Sequence, residues 1–158
     1  MEEKDPLTYK QIREILAYIQ QIHHEAAKCC MEMSSGADER PRLMADLFRR
    51  HEETLEQHLK SFGKEQYSSI LDMWMQYVPV REIEKKLKAF RSENARSAHS
   101  IETLNRCIEL QQEIVECFRQ MAESKEAPRA EAFLGKIHDF EQSILKEMSM
   151  ASTMQQDA

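Results

Sequence analysis

The sequence predicts an all-α fold, a four-helix bundle made of two antiparallel hairpins. The chain has 158 residues with only 3 Gly and 4 Pro, which leaves little turn material for the many hairpins of an all-β fold. Apolar residues recur at three- and four-residue spacing along four long segments, as they do in helices that bury one face. A chain of this length fits a single domain, which we assign to residues 1–158.

The first predicted hairpin combines a helix over 6–33 with a helix over 41–62. Asp5 can accept hydrogen bonds from the amides of a first helical turn, and Pro6 occupies a position whose N–H has no partner within a helix. Pro41 opens the second helix in the same way. The connection between the two helices is short, so the helices are expected to lie antiparallel.

The second predicted hairpin combines helices over 97–123 and 129–149. Residues 63–97 connect the two hairpins and contain two weaker helical patterns, which is too long for a simple turn. In a four-helix bundle such a connection suits a crossover along the length of the bundle, and it places the second and third helices parallel to each other. Residues 150–158 are rich in Ser, Gln and Met and are predicted to form a disordered tail.

Each long predicted helix carries a polar residue inside its apolar face. At about 100° per residue, the helical projection places His23, His51, Gln111 and Glu141 on the buried faces of the four helices in turn. Superposing the second hairpin on the first pairs His23 with Gln111 and His51 with Glu141, which indicates an internal duplication. The four side chains are therefore expected to meet in the interior, as candidate metal ligands.

Two tandem helical hairpins joined by a crossover resemble the ferritin-like superfamily, and in particular its rubrerythrin-like branch. The segment from Ile70 to Pro79 is also similar to one in uncharacterised bacterial proteins of ferritin-like type. The resemblance implies that each hairpin supplies a Glu from its first helix and a Glu-x-x-His from its second, which together hold two irons. Here Glu52 has no His three residues later, and Ile144 stands where a His would follow Glu141.

The departures from that pattern predict a bundle protein without a di-iron centre. A di-iron site needs several anionic oxygens, and one buried Glu does not supply them. No catalytic or cofactor-binding residues are predicted, and the function indicated is contact with other proteins rather than catalysis. In that interpretation the four polar side chains satisfy one another by hydrogen bonds. The alternative is a single Zn or Fe ion bound by His23, His51 and Glu141.

The amino-acid composition opposes binding to nucleic acid and insertion into a membrane. The net charge is -6, with 28 acidic and 22 basic side chains, which opposes a general attraction to nucleic acid. The mean hydropathy is -0.67, and no stretch approaches the roughly 20 apolar residues of a membrane span. The N-terminal segment lacks the pattern of a secretory signal, so a cytoplasmic location is predicted. The four cysteines lie in helical patterns and are expected to be reduced packing residues.

The crossover segment carries a cluster of large apolar side chains. Trp74, Met75 and Tyr77 lie within four consecutive positions, and Trp and Met adapt well to binding surfaces. This cluster predicts a homodimer formed through the crossover, while core packing is the alternative explanation.

Overall fold

The computed structural model describes residues 9–32, 39–62, 68–76, 83–89, 100–124 and 128–154. This part of the chain is helical except for one two-stranded sheet, so the predicted all-α class is confirmed. The elements in chain order are β1 (Tyr9–Gln11), α1 (Ile12–Glu32), α2 (Arg40–Phe62), α3 (Ser68–Leu71), β2 (Trp74–Gln76), α4 (83–89), α5 (Ser100–Glu123), a 3-10 turn (Pro128–Ala130) and α6 (Glu131–Met154).

The long helices pack in pairs around one apolar core. The most extensive contacts join α1 to α2 and α5 to α6, and α2 also touches both α5 and α6. The contact between α1 and α5 is the slightest of these. The core side chains come from all four long helices and include Leu16, Phe48, Leu110 and Ile137. None of the described helices is both long enough and apolar enough to cross a membrane.

The start predicted for the first helix, within 6–33, is wrong. Tyr9–Gln11 forms β1, which pairs antiparallel with β2, and α1 begins only at Ile12. The backbone N–H of Gln11 donates to the Glu14 carboxylate at 3.0 Å, so Glu14 caps the first turn of α1 from inside the helix. Pairing with a distant strand thus replaces the helical turn that the local sequence would allow.

The predicted tail over 150–158 is wrong in its first part. Helix α6 continues past the predicted end at residue 149 to Met154, and the last residues of the chain lie outside the described part. The Arg40 guanidinium donates to the backbone carbonyl of Ser152 at 2.9 Å, and Ala151 is buried. The last turns of α6 are therefore held against the beginning of α2.

The connection predicted over 63–97 is described only in two pieces. Its first piece contains α3 and β2, so Trp74 lies in a strand rather than in the helix that the apolar pattern predicts. Trp74 is 56% exposed, whereas Met75 is 2% exposed and belongs to the core. Met75 is therefore not available to a dimer surface, and Tyr77 lies outside the described residues.

Candidate metal centre

The four polar residues predicted for the interior lie together in the structure. His23 is on α1, His51 on α2, Gln111 on α5 and Glu141 on α6, and each of the four is 0% exposed. Each is three or four positions from apolar core residues on its own helix, at the spacing that puts them on one face. Those core neighbours are Ile19 and Ala26, Phe48 and Leu55, Cys107 and Ile114, and Ile137 and Ile144.

Three of these side chains direct one polar atom each to a common point. The Oε1 atom of Glu141 lies 3.0 Å from Nδ1 of His51 and 3.4 Å from Nε2 of His23. The two imidazole nitrogens are 3.2 Å apart. The three atoms form a nearly equilateral triangle, and among the described residues His23, His51 and Glu141 are the group found with a potential metal-binding geometry.

Gln111 holds the carboxylate in place. Its Nε2 atom donates to Glu141 Oε1 at 2.9 Å and to the backbone carbonyl of Glu141 at 2.9 Å. An amide N–H is a donor and cannot coordinate a cation. In this arrangement Gln111 positions the carboxylate, and it contributes no ligand atom of its own.

Aromatic rings pack against the two imidazoles. The ring centroids of His23 and Phe48 lie 6.0 Å apart, and those of His51 and Phe140 lie 4.6 Å apart. The two imidazole rings are themselves 4.6 Å apart with their planes tilted by 57°. Apolar walls on both sides limit the rotation of the imidazoles, which is what a preorganised ligand set requires.

Each of the four residues has a second polar atom that makes none of the hydrogen bonds at the centre. These atoms are Nδ1 of His23, Nε2 of His51, Oε1 of Gln111 and Oε2 of Glu141, and all four are buried without a hydrogen-bond partner among the described residues. An unpaired buried polar atom costs about 1–3 kcal/mol. The convergence of the four side chains thus leaves one buried polar atom of each without a hydrogen bond.

The charge states favour a cation at that point. Burial by itself raises the pKa of the Glu141 carboxyl, but electrostatic attraction to the His23 and His51 side chains, together with hydrogen bonds from them, outweighs burial and holds that pKa well below its usual value. Burial lowers the pKa of the His51 imidazole, and this outweighs the opposing attraction of Glu141. At neutral pH an ionised carboxylate therefore faces a neutral imidazole, and these are the forms that bind metal.

The free energy of unfolding of the metal-free protein is expected to fall as the pH drops from 8 to 5.5. The buried His51 resists protonation, whereas the unfolded chain takes up that proton near the ordinary histidine pKa of about 6.5. The unfolded state therefore binds more protons, and stability decreases by at most about 1.4 kcal/mol per pH unit for this group. The Glu141 carboxyl adds a loss of the same sign at lower pH, below about 4.3.

Urea unfolding at several pH values measures this dependence. His51→Leu should flatten the curve between pH 8 and 5.5, and His24→Ala should leave it unchanged. The His24 side chain is 65% exposed on the outside of α1, where it pairs with Glu52 at 3.2 Å. An equally steep curve for His51→Leu would show that another group carries the dependence.

The chain matches no protein-family model, no curated protein and no solved structure. The geometry alone therefore defines the class of protein, which is a helical protein with a buried His-His-Glu centre supported by a glutamine.

Proposed function

We propose that the protein binds a single divalent transition-metal ion, Zn²⁺ or Fe²⁺, through His23, His51 and Glu141. The observation that carries this proposal is the triangle of ligand atoms, with sides of 3.0, 3.2 and 3.4 Å. The ligands come from three different long helices, so the ion would join both hairpins.

The size of the triangle suits ions of this class. A tetrahedral ion about 2.0–2.1 Å from each ligand separates the ligand atoms by about 3.3–3.4 Å. An octahedral ion with bonds of about 2.1–2.2 Å separates adjacent ligands by about 3.0–3.1 Å. The observed sides, 3.0 to 3.4 Å, span both values, so an ion can sit slightly out of the plane of the three atoms with only small side-chain shifts.

The donor set also suits these ions. Two imidazole nitrogens and one carboxylate oxygen form a recognised set for Zn²⁺ and for Fe²⁺, with at least one further coordination position open. A divalent cation would offset the charge of the buried Glu141 carboxylate, whose Oε1 atom contacts the His23 and His51 imidazoles. A second ion would require more carboxylates than this centre offers, so the proposal is limited to one.

The role that fits a fully buried centre is structural. The three ligand residues are 0% exposed, so a substrate has little access to an ion bound there. An ion that binds only the folded chain stabilises it by about 2.7 kcal/mol at a concentration one hundred times the Kd. We therefore propose that the ion fixes the packing of the helices rather than catalysing a reaction.

Metal titration of the untagged 158-residue chain tests the proposal. After treatment with a chelator, the wild type should take up one equivalent of Zn²⁺, and of Fe²⁺ under anaerobic conditions. His51→Ala should weaken the affinity at least about 100-fold, since it removes one of three protein ligands. Competition with a chromophoric chelator measures both affinities.

His24→Ala is the matched control, because it removes an exposed imidazole one position from His23 on the same helix. It should bind metal like the wild type. Absence of uptake by the wild type, or equal uptake by a His23→Ala, His51→Ala double variant, would overturn the proposal.

A second candidate function is a bundle protein that acts through protein contacts, with a centre held by hydrogen bonds alone. The observation that favours it is the double hydrogen bond from Gln111 to Glu141, both at 2.9 Å, together with the 3.0 Å contact of His51. The Gln111 bond to Oε1 and the His51 contact give Glu141 Oε1 its partners without an ion. The metal titration separates the two functions, because this candidate predicts no uptake.

We also propose that the long helices adopt the ferritin-like topology, with residues 63–97 as the crossover. Support comes from the pairing of α1 with α2 and of α5 with α6, and from the contacts of α2 with α5 and α6. The polar layer shared by all four long helices is a further feature of that arrangement. An experimental structure that traces residues 63–97 along the bundle would test the topology.

A homodimer through the region of Trp74 completes the proposal. Trp74 is 56% exposed, and an exposed Trp is a frequent hot spot of interfaces. Sedimentation at tens of micromolar should show a dimer that Trp74→Ser weakens at least about tenfold. Met150→Ser, which alters another exposed apolar side chain, should have no effect. A monomeric wild type would overturn the proposed dimer.

The predicted cytoplasmic location stays a prediction.

A further inference from the structure

Two buried cysteines from different hairpins lie in direct contact. The Sγ atoms of Cys30 on α1 and Cys107 on α5 are 3.0 Å apart, and both residues are 0% exposed. All four cysteines are buried, and none of them forms a disulfide. A disulfide bond is about 2.05 Å long, so the two sulfurs need to approach by only about 1 Å.

We propose that Cys30 and Cys107 are a dithiol site that a low-molecular-weight disulfide oxidises to an intramolecular disulfide between α1 and α5. The site is independent of the metal proposal, because neither cysteine is among the three ligands. Cys29 does not compete for Cys107, since adjacent helical residues point about 100° apart.

The reaction is a pair of thiol–disulfide exchanges. The thiolate of one cysteine attacks a sulfur of the small disulfide, which forms a mixed disulfide and releases one small thiolate. The sulfur of the other cysteine then attacks the protein sulfur of the mixed disulfide and releases the second. The two cysteine protons end on the two released thiolates, so the protein is oxidised by two electrons and the small disulfide is reduced to two thiols.

Local opening of the contact between α1 and α5 is expected to limit the rate. Burial and the hydrogen bond with Cys107 raise the pKa of the Cys30 thiol well above its usual value, so little thiolate is present while the helices are closed. The contact between these two helices is slight compared with those within each hairpin. Urea below the unfolding transition should therefore accelerate the oxidation.

The disulfide would join two segments far apart in the chain. A cross-link that closes a long loop restricts the unfolded chain strongly. The oxidised protein should melt about 5–15 °C above the reduced protein.

The experiment uses a variant that leaves only the two cysteines in question. Cys29 and Cys30 fall on one tryptic peptide, as do Cys107 and Cys117, so the wild type cannot be mapped unambiguously. A Cys29→Ala, Cys117→Ala chain is incubated with oxidised glutathione and EDTA in sub-denaturing urea, alkylated and digested. We expect a mass loss of two hydrogens, a linked peptide pair, a monomer on a non-reducing gel and the raised Tm.

The reciprocal Cys30→Ala, Cys107→Ala chain is the matched control and should retain both remaining thiols. Wild-type protein should lose two of its four thiols, which keeps the test independent of how well the variants fold. Four alkylatable thiols in the wild type at equilibrium would overturn the proposal, as would equal disulfide formation in the reciprocal chain.

Discussion

Glu141→Ala is expected to lower the free energy of unfolding of the metal-free protein by about 3–5 kcal/mol. The Glu141 Oε1 atom accepts a hydrogen bond from the Gln111 amide and contacts one ring nitrogen each of His23 and His51. Alanine removes the acceptor that these three nitrogens share and leaves a cavity beside them. Gln111 keeps its bond to the backbone carbonyl of residue 141 and the two imidazoles keep each other, but at least one buried polar group loses its partner, at a cost of about 1–3 kcal/mol. Urea denaturation in the presence of a chelator measures the loss.

Two further variants separate the loss of hydrogen bonds from the loss of charge. Glu141→Gln keeps an oxygen acceptor and removes the buried charge, so it should lose about 1–2 kcal/mol. A quadruple variant removes the whole network. Its substitutions are His23→Leu, His51→Leu, Gln111→Met and Glu141→Met. That chain should be as stable as the wild type or more so by about 1–4 kcal/mol, because apolar packing often replaces buried charge without loss. A loss below about 1 kcal/mol for Glu141→Ala would contradict the described network.

The comparison of these variants bears on why the centre exists. A polar layer that destabilises the chain relative to an apolar one gives no advantage in stability of the metal-free fold. Binding an ion would reverse that balance, because the ion stabilises only the wild-type centre. The apolar variant is thus also a folded control for the metal titration, in which it should take up nothing.

Much of the fold was accessible from local patterns, and the exceptions have a common cause. Helix α2 was predicted over 41–62 and spans Arg40–Phe62, since Pro41 and the apolar stripe both act locally. The predicted start of the first helix and the predicted end of the last helix were wrong, because contacts with residues far away in the chain determine where α1 begins and where α6 ends. Tyr9–Gln11 pairs with strand β2 instead of joining α1, and the Arg40 side chain donates a hydrogen bond to the last turns of α6.

The convergence of the centre follows from helical projection, but its chemistry does not. Projection finds which side chains point inward. It does not give the orientation of an amide, so it could not show that Gln111 presents its donor to Glu141 and is no ligand here. The axial offset between two helices is equally absent from a projection. For that reason the sequence predicts Cys30 and Cys107 only as reduced packing residues, which their burial confirms, and does not predict the contact between their sulfurs.

Phe48→Ala should produce a loss as large as that of Glu141→Ala through a different physical term. Phe48 is among the largest fully buried side chains and packs against His23 from α2. Its removal leaves a cavity beside the centre, and Phe-to-Ala changes in cores lower the free energy of unfolding by about 3–5 kcal/mol.

Leu43→Ala is the matched control, because it truncates an apolar side chain on the same helix that is 37% exposed. It should change the free energy of unfolding by less than about 1 kcal/mol. The two terms also differ in their dependence on pH. The loss caused by Phe48→Ala should change little between pH 8 and pH 5.5, because the substitution removes no titratable group. That of Glu141→Ala should change with pH, because it removes a carboxylate that acts on the pKa of the His51 imidazole. Urea unfolding at both pH values measures this difference, and a Phe48→Ala loss no larger than that of Leu43→Ala would contradict the packing of α2 described here.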